Sequence, residues 1–416
     1  MTQKPPALPH IKVLDLSRVL AGPWCTQMLA DLGADVIKVE RPGVGDDTRH
    51  WGPPFLQDAD GNDTTDATYF TACNRNKRSI TIDMAHQEGQ ALIRQMALQS
   101  DILVENFKVG GLQQYGLDYE SLREHNPRLI YCSVTGFGQN GPYAERAGYD
   151  LMIQAMSGMM SITGLADGTP GGGPQRVGVA VIDVLTGVYA ASAILAALEV
   201  RHRTGLGQYI DMALLDVGMA MLANQAAGYL NTGAVPKRSG NTHPSLAPYQ
   251  DFPTSDGAVL LAIGNDGQFG RFCEAAGHAE WALDARFASN AQRVRNREAL
   301  IPLIADVTRT RSSAQWIALL EDKAVPCGPI NDFAQAFSDP QVAARGLVAK
   351  QAVAPVGRAQ GTITNIATVA SPLRLQDTPP VLRNAPPALG QHTDEVLGAL
   401  GLDAERIAAL RQQGAV

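Results

Sequence analysis

The first third of this chain alternates short apolar, β-rich runs with helical stretches, and that alternation limits the folds open to it more than any other feature. "IKVLDL", "ADVIKVE", "RSITIDM", "DILVENF" and "RLIYCSVTGF" read as strands, with the helical "PWCTQMLADLG" and "QEGQALIRQMALQS" between them. Helices of this length between strands make βαβ units, and such units make a mostly parallel sheet. An α/β domain is therefore expected. Pro23 suits the first position of the first helix, and Gly33 suits the residue just past its end.

At 416 residues the chain exceeds what one core usually serves, so two domains are expected. The Gly/Pro/Ser/Asn-rich "NTGAVPKRSGNTHPSLAP" reads as a linker, and "DGAVLLAIGNDGQFGRFCEAAG" opens a second α/β pattern. A Pro-rich passage, "SPLRLQDTPPVLRNAPPALG", leads to a last helix capped by Thr393 or Asp394. The resulting division is a large domain over 1–225, a linker over 226–247, a small α/β domain over 248–345, a returning linker over 346–385 and terminal helices over 386–416.

A net charge of −7 argues against a nucleic-acid partner, which would call for a basic surface. The five cysteines are widely spaced and form no CxxC pair, which suits reduced thiols in a cytosol and makes zinc an unpromising ligand. No signal peptide opens the chain and no apolar span of 18 residues is uninterrupted, so the expectation is a soluble cytoplasmic protein with no membrane partner.

"GFGQNG" at 136–141 follows a strand and matches the letters of a dinucleotide fingerprint. Pro142 follows at once, no helix begins before Ala147, and the required acidic residue is missing, so a turn or active-site loop is the better reading. P-loop, HExxH and GxSxG signatures are absent. Attention falls on Asp183 in "VAVIDVLTGVYAASAILAALEVRHRTG", at the start of a long apolar helix. It is either a helix cap or a nucleophile.

Together, "LDLSRVLAGPWCTQMLADLGADVIKVERPGVGDDTR", "NRNKRSI", "VENF", "GFGQNGPYAERAGYDLM", "GVAVIDVLTGVYAASAILAALEVRHRTGLGQYIDMALLD" and "LGQHTDEVLGALG" resemble the family III CoA-transferases, in order and over nearly the whole chain. The resemblance implies a homodimer of interlocked ring-like chains, each with a large Rossmann-like domain and a smaller one. It also implies that Asp183 attacks an acyl-CoA thioester. An ordinary aspartate is an anion at neutral pH and needs no base to activate it. An aspartyl anhydride and then an aspartyl-CoA thioester would follow, and the acceptor acid would leave as the new acyl-CoA.

Racemases of the same fold resemble this chain too, but they carry histidine where Tyr149 stands. A phenol is ordinarily protonated at neutral pH and replaces histidine poorly in proton exchange. The transferase reading is preferred and the racemase kept as its alternative. Tyr149 and Asp150 are then expected beside the nucleophile, although Tyr149 could be only a half-buried helix residue.

Coenzyme A enters as a substrate, with no permanently bound cofactor and no metal, and its phosphates need local positive charge. By resemblance this falls to Lys38, Arg41, the "NRNKR" segment (Asn74, Arg75, Lys77, Arg78) and Asn106, each otherwise an ordinary surface residue. Some relatives carry arginine at Gln114 and lysine near Ala147, so contacts there would pass to Arg146. "RVLAGP", "GDDTRHWGPPF" and "NTHPSLAPYQDF" look closest to the branch that pairs succinyl-CoA with glutarate or hydroxymethylglutarate. For the distal carboxylate of such an acid the candidates are Arg18, Arg49 and Arg176, any of which could instead serve a surface or interchain ion pair.

Overall fold

The computed structural model describes residues 5–58, 60–353 and 365–416. Six strands form a parallel sheet: β1 (Lys12–Asp15), β2 (Asp35–Glu40), β3 (Lys77–Thr81), β4 (Ile102–Glu105), β5 (Ile130–Thr135) and β6 (Tyr209–Ala213). Their spatial order is β3-β2-β1-β4-β5-β6. This is the doubly wound order of nucleotide-binding folds, which reverses between β1 and β4 and opens a crevice beyond their C-terminal ends.

Side chains alternate across the sheet as the pleat requires. Val13, Ile102, Val104, Ile130 and Cys132 enter one core, while Leu14, Leu103 and Tyr131 enter the other. Two helices, α1 (Ala21–Asp31) and α4 (Val181–Thr204), close the first core; α2 (Gln87–Leu98) and the C-terminal helices close the second. Two shorter helices, α3 (Asp150–Met156) and α5 (Leu214–Ala220), flank α4.

By length and hydropathy alone α4 could cross a membrane, although no 18-residue stretch of it is free of polar residues. Here it is a core helix: Ile182, Ala190, Ile194, Ala197 and Leu198 are buried in the first cluster. Gly187 lets α1 lie against it, because a Cβ there would meet Ala21 O at 2.7 Å and Trp24 Cβ at 2.9 Å.

A second compact unit comprises Met160–Arg176 and Gly233–Pro340. It holds a three-stranded antiparallel sheet of β7 (Tyr249–Pro253), β8 (Ala258–Ala262) and β9 (Cys327–Gly328) with helices α6 (Asp266–Ala276), α7 (Arg297–Thr308) and α8 (Ser313–Asp322). Its own core is built on Phe252, Leu261, Phe269, Phe272, Trp316 and Leu320.

The division differs from the one expected at three places. Residues 160–176 group with this second unit, and the segment up to Thr232, read as linker, continues as helix Ala223–Thr232 and groups with the first. From Gln341 the chain belongs to the first unit again. There β10 (Val348–Ala352) pairs with β11 (Asn365–Val369), and α9 (Thr393–Ala399) and α10 (Ala404–Gln412) cover the second core. Residues 354–364 of the expected returning linker lie outside the described residues.

Gly187→Ala is expected to press α1 away from α4 and cost about 1–3 kcal/mol as an overpacked core. The lowered midpoint should be visible in urea unfolding followed by circular dichroism; an unchanged midpoint would show that the two helices are not in such close contact.

Candidate active site

The crevice where the strand order reverses holds a cavity of about 630 Å³. Its wall includes Leu16 and Arg18–Ala21 after β1, Lys38–Arg41 at the end of β2, Asn106–Lys108 after β4, Val134–Gly136 at the end of β5, Arg146–Tyr149, and Asp183.

The loop after β1 is held from three sides. Asn106 brackets the Arg18 main chain, its Oδ1 accepting from the Arg18 N–H at 2.9 Å and its Nδ2 donating to the carbonyl at 2.7 Å. Lys38 Nζ donates to Ser17 O at 2.8 Å, and Asp46 accepts from the Val19 N–H. These contacts keep Val19 at φ 71°, a left-handed conformation that a β-branched residue adopts only under constraint.

Most of the basic residues expected to hold coenzyme A are spent on this scaffold. Lys38 touches the cavity but is fully buried against Asp46 at 2.9 Å. Burial opposes ionisation of Asp46, yet the Lys38 charge and the Thr48 bonds hold its carboxyl down to about 2. Lys77 is fully buried on Asp15 at 3.0 Å and donates to Asn74, which is buried as well. Arg75 pairs with Asp31 at 2.5 Å and donates to Val369 O. Arg78 pairs with Asp35 and Glu395. None of Asn74, Arg75, Lys77 and Arg78 lines the cavity.

The "NRNKR" segment is therefore a knot that ties the C-terminal part of the chain to α1. Asn76, within it, bonds Asp31 and Val381 O and accepts from the Arg383 and Asn384 N–H groups. The sequence could not reveal this, because Asp31 lies 44 residues from its partner Arg75.

Arg41, Asn106 and Arg146 do line the cavity. Arg41 is exposed, and no ion pair engages its side chain among the described residues. Arg146 stacks over Tyr143 and Phe137, at 4.5 and 5.3 Å from the ring centroids. Lys108, which the sequence reading passed over, is another exposed cation there; it follows directly on "VENF". Gln114 and Ala147 also line the wall.

The three candidates for a distal carboxylate separate. Arg18 lines the cavity and shares its charge with half-exposed Asp47 at 3.2 Å. Arg49 is ruled out by burial, forming a two-armed pair with Glu40 at 2.7 Å while covering the Phe70 ring. Arg176 belongs to the second unit and is exposed.

"GFGQNG" is a loop and no helix follows it directly. Gly136 and Gly148 pack back to back so closely that a Cβ on either would meet the other's Cα at 2.4–2.5 Å. This contact returns the chain to the end of β5, bringing Tyr149 to the cavity edge and buried Asp150 to the start of α4. Tyr149 stands in extended conformation just before α3 and is 65% exposed, so it is not the half-buried helix residue of the alternative reading.

Asp183 is the third residue of α4, and it does not cap that helix. Asp150 performs this task from α3: its Oδ2 accepts from the N–H groups of Ile182 at 2.8 Å and Asp183 at 3.2 Å. The Asp183 carboxylate accepts no hydrogen bond from any described residue, and it faces the cavity. Burial, and then the Asp150 charge, push its carboxyl up to about 7. This corrects the expectation of an ordinary aspartate, because near pH 7 only about half of it is charged. Tyr69, a further residue that sequence reasoning missed, feels the same charges: burial and then Asp183 push its phenol up to about 12. Trp51 packs edge-on against it at 5.4 Å.

A half-buried, unpartnered carboxylate beside a crevice ringed by free cations can attack an electrophile carried on an anionic molecule. Among the described residues no cluster of His, Cys, Asp and Glu is arranged to hold a metal ion.

Known proteins resemble this chain over nearly its whole length. The chain is 50% identical over 400 residues to a succinate–glutarate CoA-transferase of Agrobacterium fabrum, covering 96% of this chain and 97% of that protein. It is 41% identical to the human succinyl-CoA:glutarate CoA-transferase, covering 98% of this chain and 90% of that one. A crystal structure of a CAIB/BAIF family protein from Brucella suis superposes with a TM-score of 0.82 at 50% identity, covering 96% of this chain and all of that one. The sequence profile of CoA-transferase family III matches residues 8–393, and the chain belongs to that family.

Proposed function

We propose that this CoA-transferase moves coenzyme A from succinyl-CoA to a short dicarboxylic acid, glutarate or a close analogue, through acyl intermediates on Asp183. The observation that carries the reading is the Asp183 carboxylate, open to the cavity while Asp150 takes the helix cap in its place. The named substrates of the relatives from Agrobacterium fabrum and human supply the choice of acids.

An Asp183 oxygen attacks the thioester carbon and expels CoA thiolate, leaving an aspartyl–succinyl anhydride. The thiolate returns to the aspartyl carbonyl, succinate leaves, and an aspartyl-CoA thioester remains. Attack by the acceptor carboxylate on that thioester gives a second anhydride and frees the thiolate again. The thiolate then takes the acceptor's acyl group and restores Asp183. One thioester is exchanged for another, so no nucleotide is consumed. Arg41, Lys108 and Arg146 meet the phosphates of coenzyme A, and Arg18 meets the distal carboxylate of the acid. Tyr149 and Asp150 complete the site, Tyr149 at its open edge and Asp150 beneath the nucleophile.

The protein acts as a homodimer of interlocked chains in the cytoplasm, with no nucleic acid or membrane as partner. Exposed apolar side chains on the first unit, Tyr189, Leu195, Met219 and Leu230, support an interface with a second copy. Five free thiols support a reducing compartment.

Asp183→Ala is expected to lower succinyl-CoA:glutarate transfer on the order of 10³-fold or more while leaving coenzyme A binding intact. Initial rates by mass detection of glutaryl-CoA, with calorimetric titration of coenzyme A, check both parts; near-normal turnover in the variant excludes the mechanism.

Because attack needs the ionised carboxylate, kcat/KM should climb with pH and level off above about 7. A rate profile already flat from about pH 5 would contradict the raised carboxyl.

The same shift sets a stability trend. A carboxyl raised on folding holds its proton more tightly in the native state, so its contribution falls as pH rises from the ordinary aspartate range through about 7. Asp183→Asn removes that loss and should stabilise the protein at pH 8 by about 1 kcal/mol after allowance for solvent access, with less gain at pH 5. Thermal unfolding of both proteins at the two pH values reads the difference; an equal gain at both would refute its electrostatic origin.

A further inference from the structure

The cap that Asp150 supplies is itself held by a residue with no assigned part. Gln154 lies one turn further along α3 and is wholly buried. Its Nε2 donates to Asp150 Oδ1, and its Oε1 accepts from the Val177 N–H at 2.9 Å. Val177 begins the stretch of chain that enters α4, whose first-turn N–H groups at Ile182 and Asp183 bond the other Asp150 oxygen. One amide thus clamps both the capping carboxylate and the approach to the helix it caps.

We infer that Gln154 is a positioning residue for the nucleophile: by fixing the Asp150 rotamer and the Val177 main chain together, it sets where the first turn of α4 holds Asp183. The inference rests on the reading of Asp183 as the acylated group. Both halves of the amide are needed. The NH2 must donate, because both oxygens of an ionised Asp150 only accept, and the carbonyl must accept, because the half-buried Val177 N–H needs a partner. An apolar side chain supplies neither, and a carboxylate supplies only the second. The titratable and charged groups around this cluster include Asp150 on α3, Asp183 on α4 and Tyr69, whose phenol feels both carboxylates, with Tyr149 and Arg176 next in the chain to Asp150 and Val177.

Two variants test this. In Gln154→Leu, kcat for succinyl-CoA:glutarate transfer is expected to fall on the order of 10-fold to 100-fold, as a displaced reacting group would cause, with KM for succinyl-CoA within about two-fold of wild type. Hydrogen exchange resolved to single residues should quicken at Val177, Ile182 and Asp183 and stay unchanged in β1 and β4. Gln154→Glu keeps the acceptor for Val177 and donates to Asp150 only while protonated. Its kcat relative to wild type is expected to decline steadily between about pH 6 and about pH 9, a trend that a loosened core would not produce.

Wild-type kcat in Gln154→Leu, or wild-type exchange at Ile182 and Asp183, overturns the inference. Should Gln154→Leu fail to fold, a constant ratio for Gln154→Glu across that pH range overturns it instead. If the unaltered protein transfers no coenzyme A, the functional reading fails, and the exchange measurement still decides whether Gln154 holds the turn.

Discussion

The site depends on one carboxylate accepting two backbone N–H groups from another helix. By capping α4, Asp150 satisfies donors that a residue at the start of that helix would otherwise have had to serve. Asp183 is thereby released from structural duty and left facing the cavity without a hydrogen-bond partner among the described residues. The same arrangement places two like charges together, and with burial it brings the Asp183 carboxyl to about 7. A less stabilised carboxylate is a better nucleophile, so the cap and the reactivity have one origin.

Beneath the cavity lies a layer of buried ion pairs: Asp15 with Lys77, Lys38 with Asp46, and Glu40 with Arg49. Buried pairs add little net stability, but losing one partner costs about 3–5 kcal/mol, so each fixes the loop it joins. Here they fix the loops at the C-terminal ends of β1 and β2, which line the cavity and in which Val19 is held at φ 71°. Positive charge is divided accordingly. Lysines and arginines under the loops build the wall, while those on the rim, Arg41, Lys108 and Arg146, stay available to an anionic ligand.

Much of the architecture was legible in the sequence because parallel strands must be apolar on both faces and helices between them must span the crossover. Runs such as "IKVLDL" and "RLIYCSVTGF" therefore announced the sheet, and Pro142 announced that "GFGQNG" was a loop. The second unit was less legible. Its three strands pair antiparallel, and residues 160–176 join it from a distant part of the chain.

Within the site, Asp183, Tyr149 and Asp150 could be singled out, but not their division of labour, since which carboxylate caps α4 depends on α3 lying beside it. Lys77, Arg75 and Arg49 read as available cations because their acidic partners, Asp15, Asp31 and Glu40, are distant in sequence or sit inside a strand. Tyr69 and Gln154 carried no signal in one sequence, because a lone tyrosine and a lone glutamine gain meaning only from what they touch.

The central claim is that an Asp183 oxygen is bonded to acyl carbon in every turnover. When an acceptor carboxylate attacks the aspartyl thioester and its acyl group is then taken by thiolate, one acceptor oxygen stays behind on the aspartate. The protein should therefore be turned over with succinyl-CoA and glutarate labelled with ¹⁸O in both carboxylates, digested, and its peptides weighed. The account predicts ¹⁸O in the side chain of Asp183 and in no other residue. Glutaryl-CoA formed with that peptide unlabelled, or with the label on a different carboxylate, would contradict it.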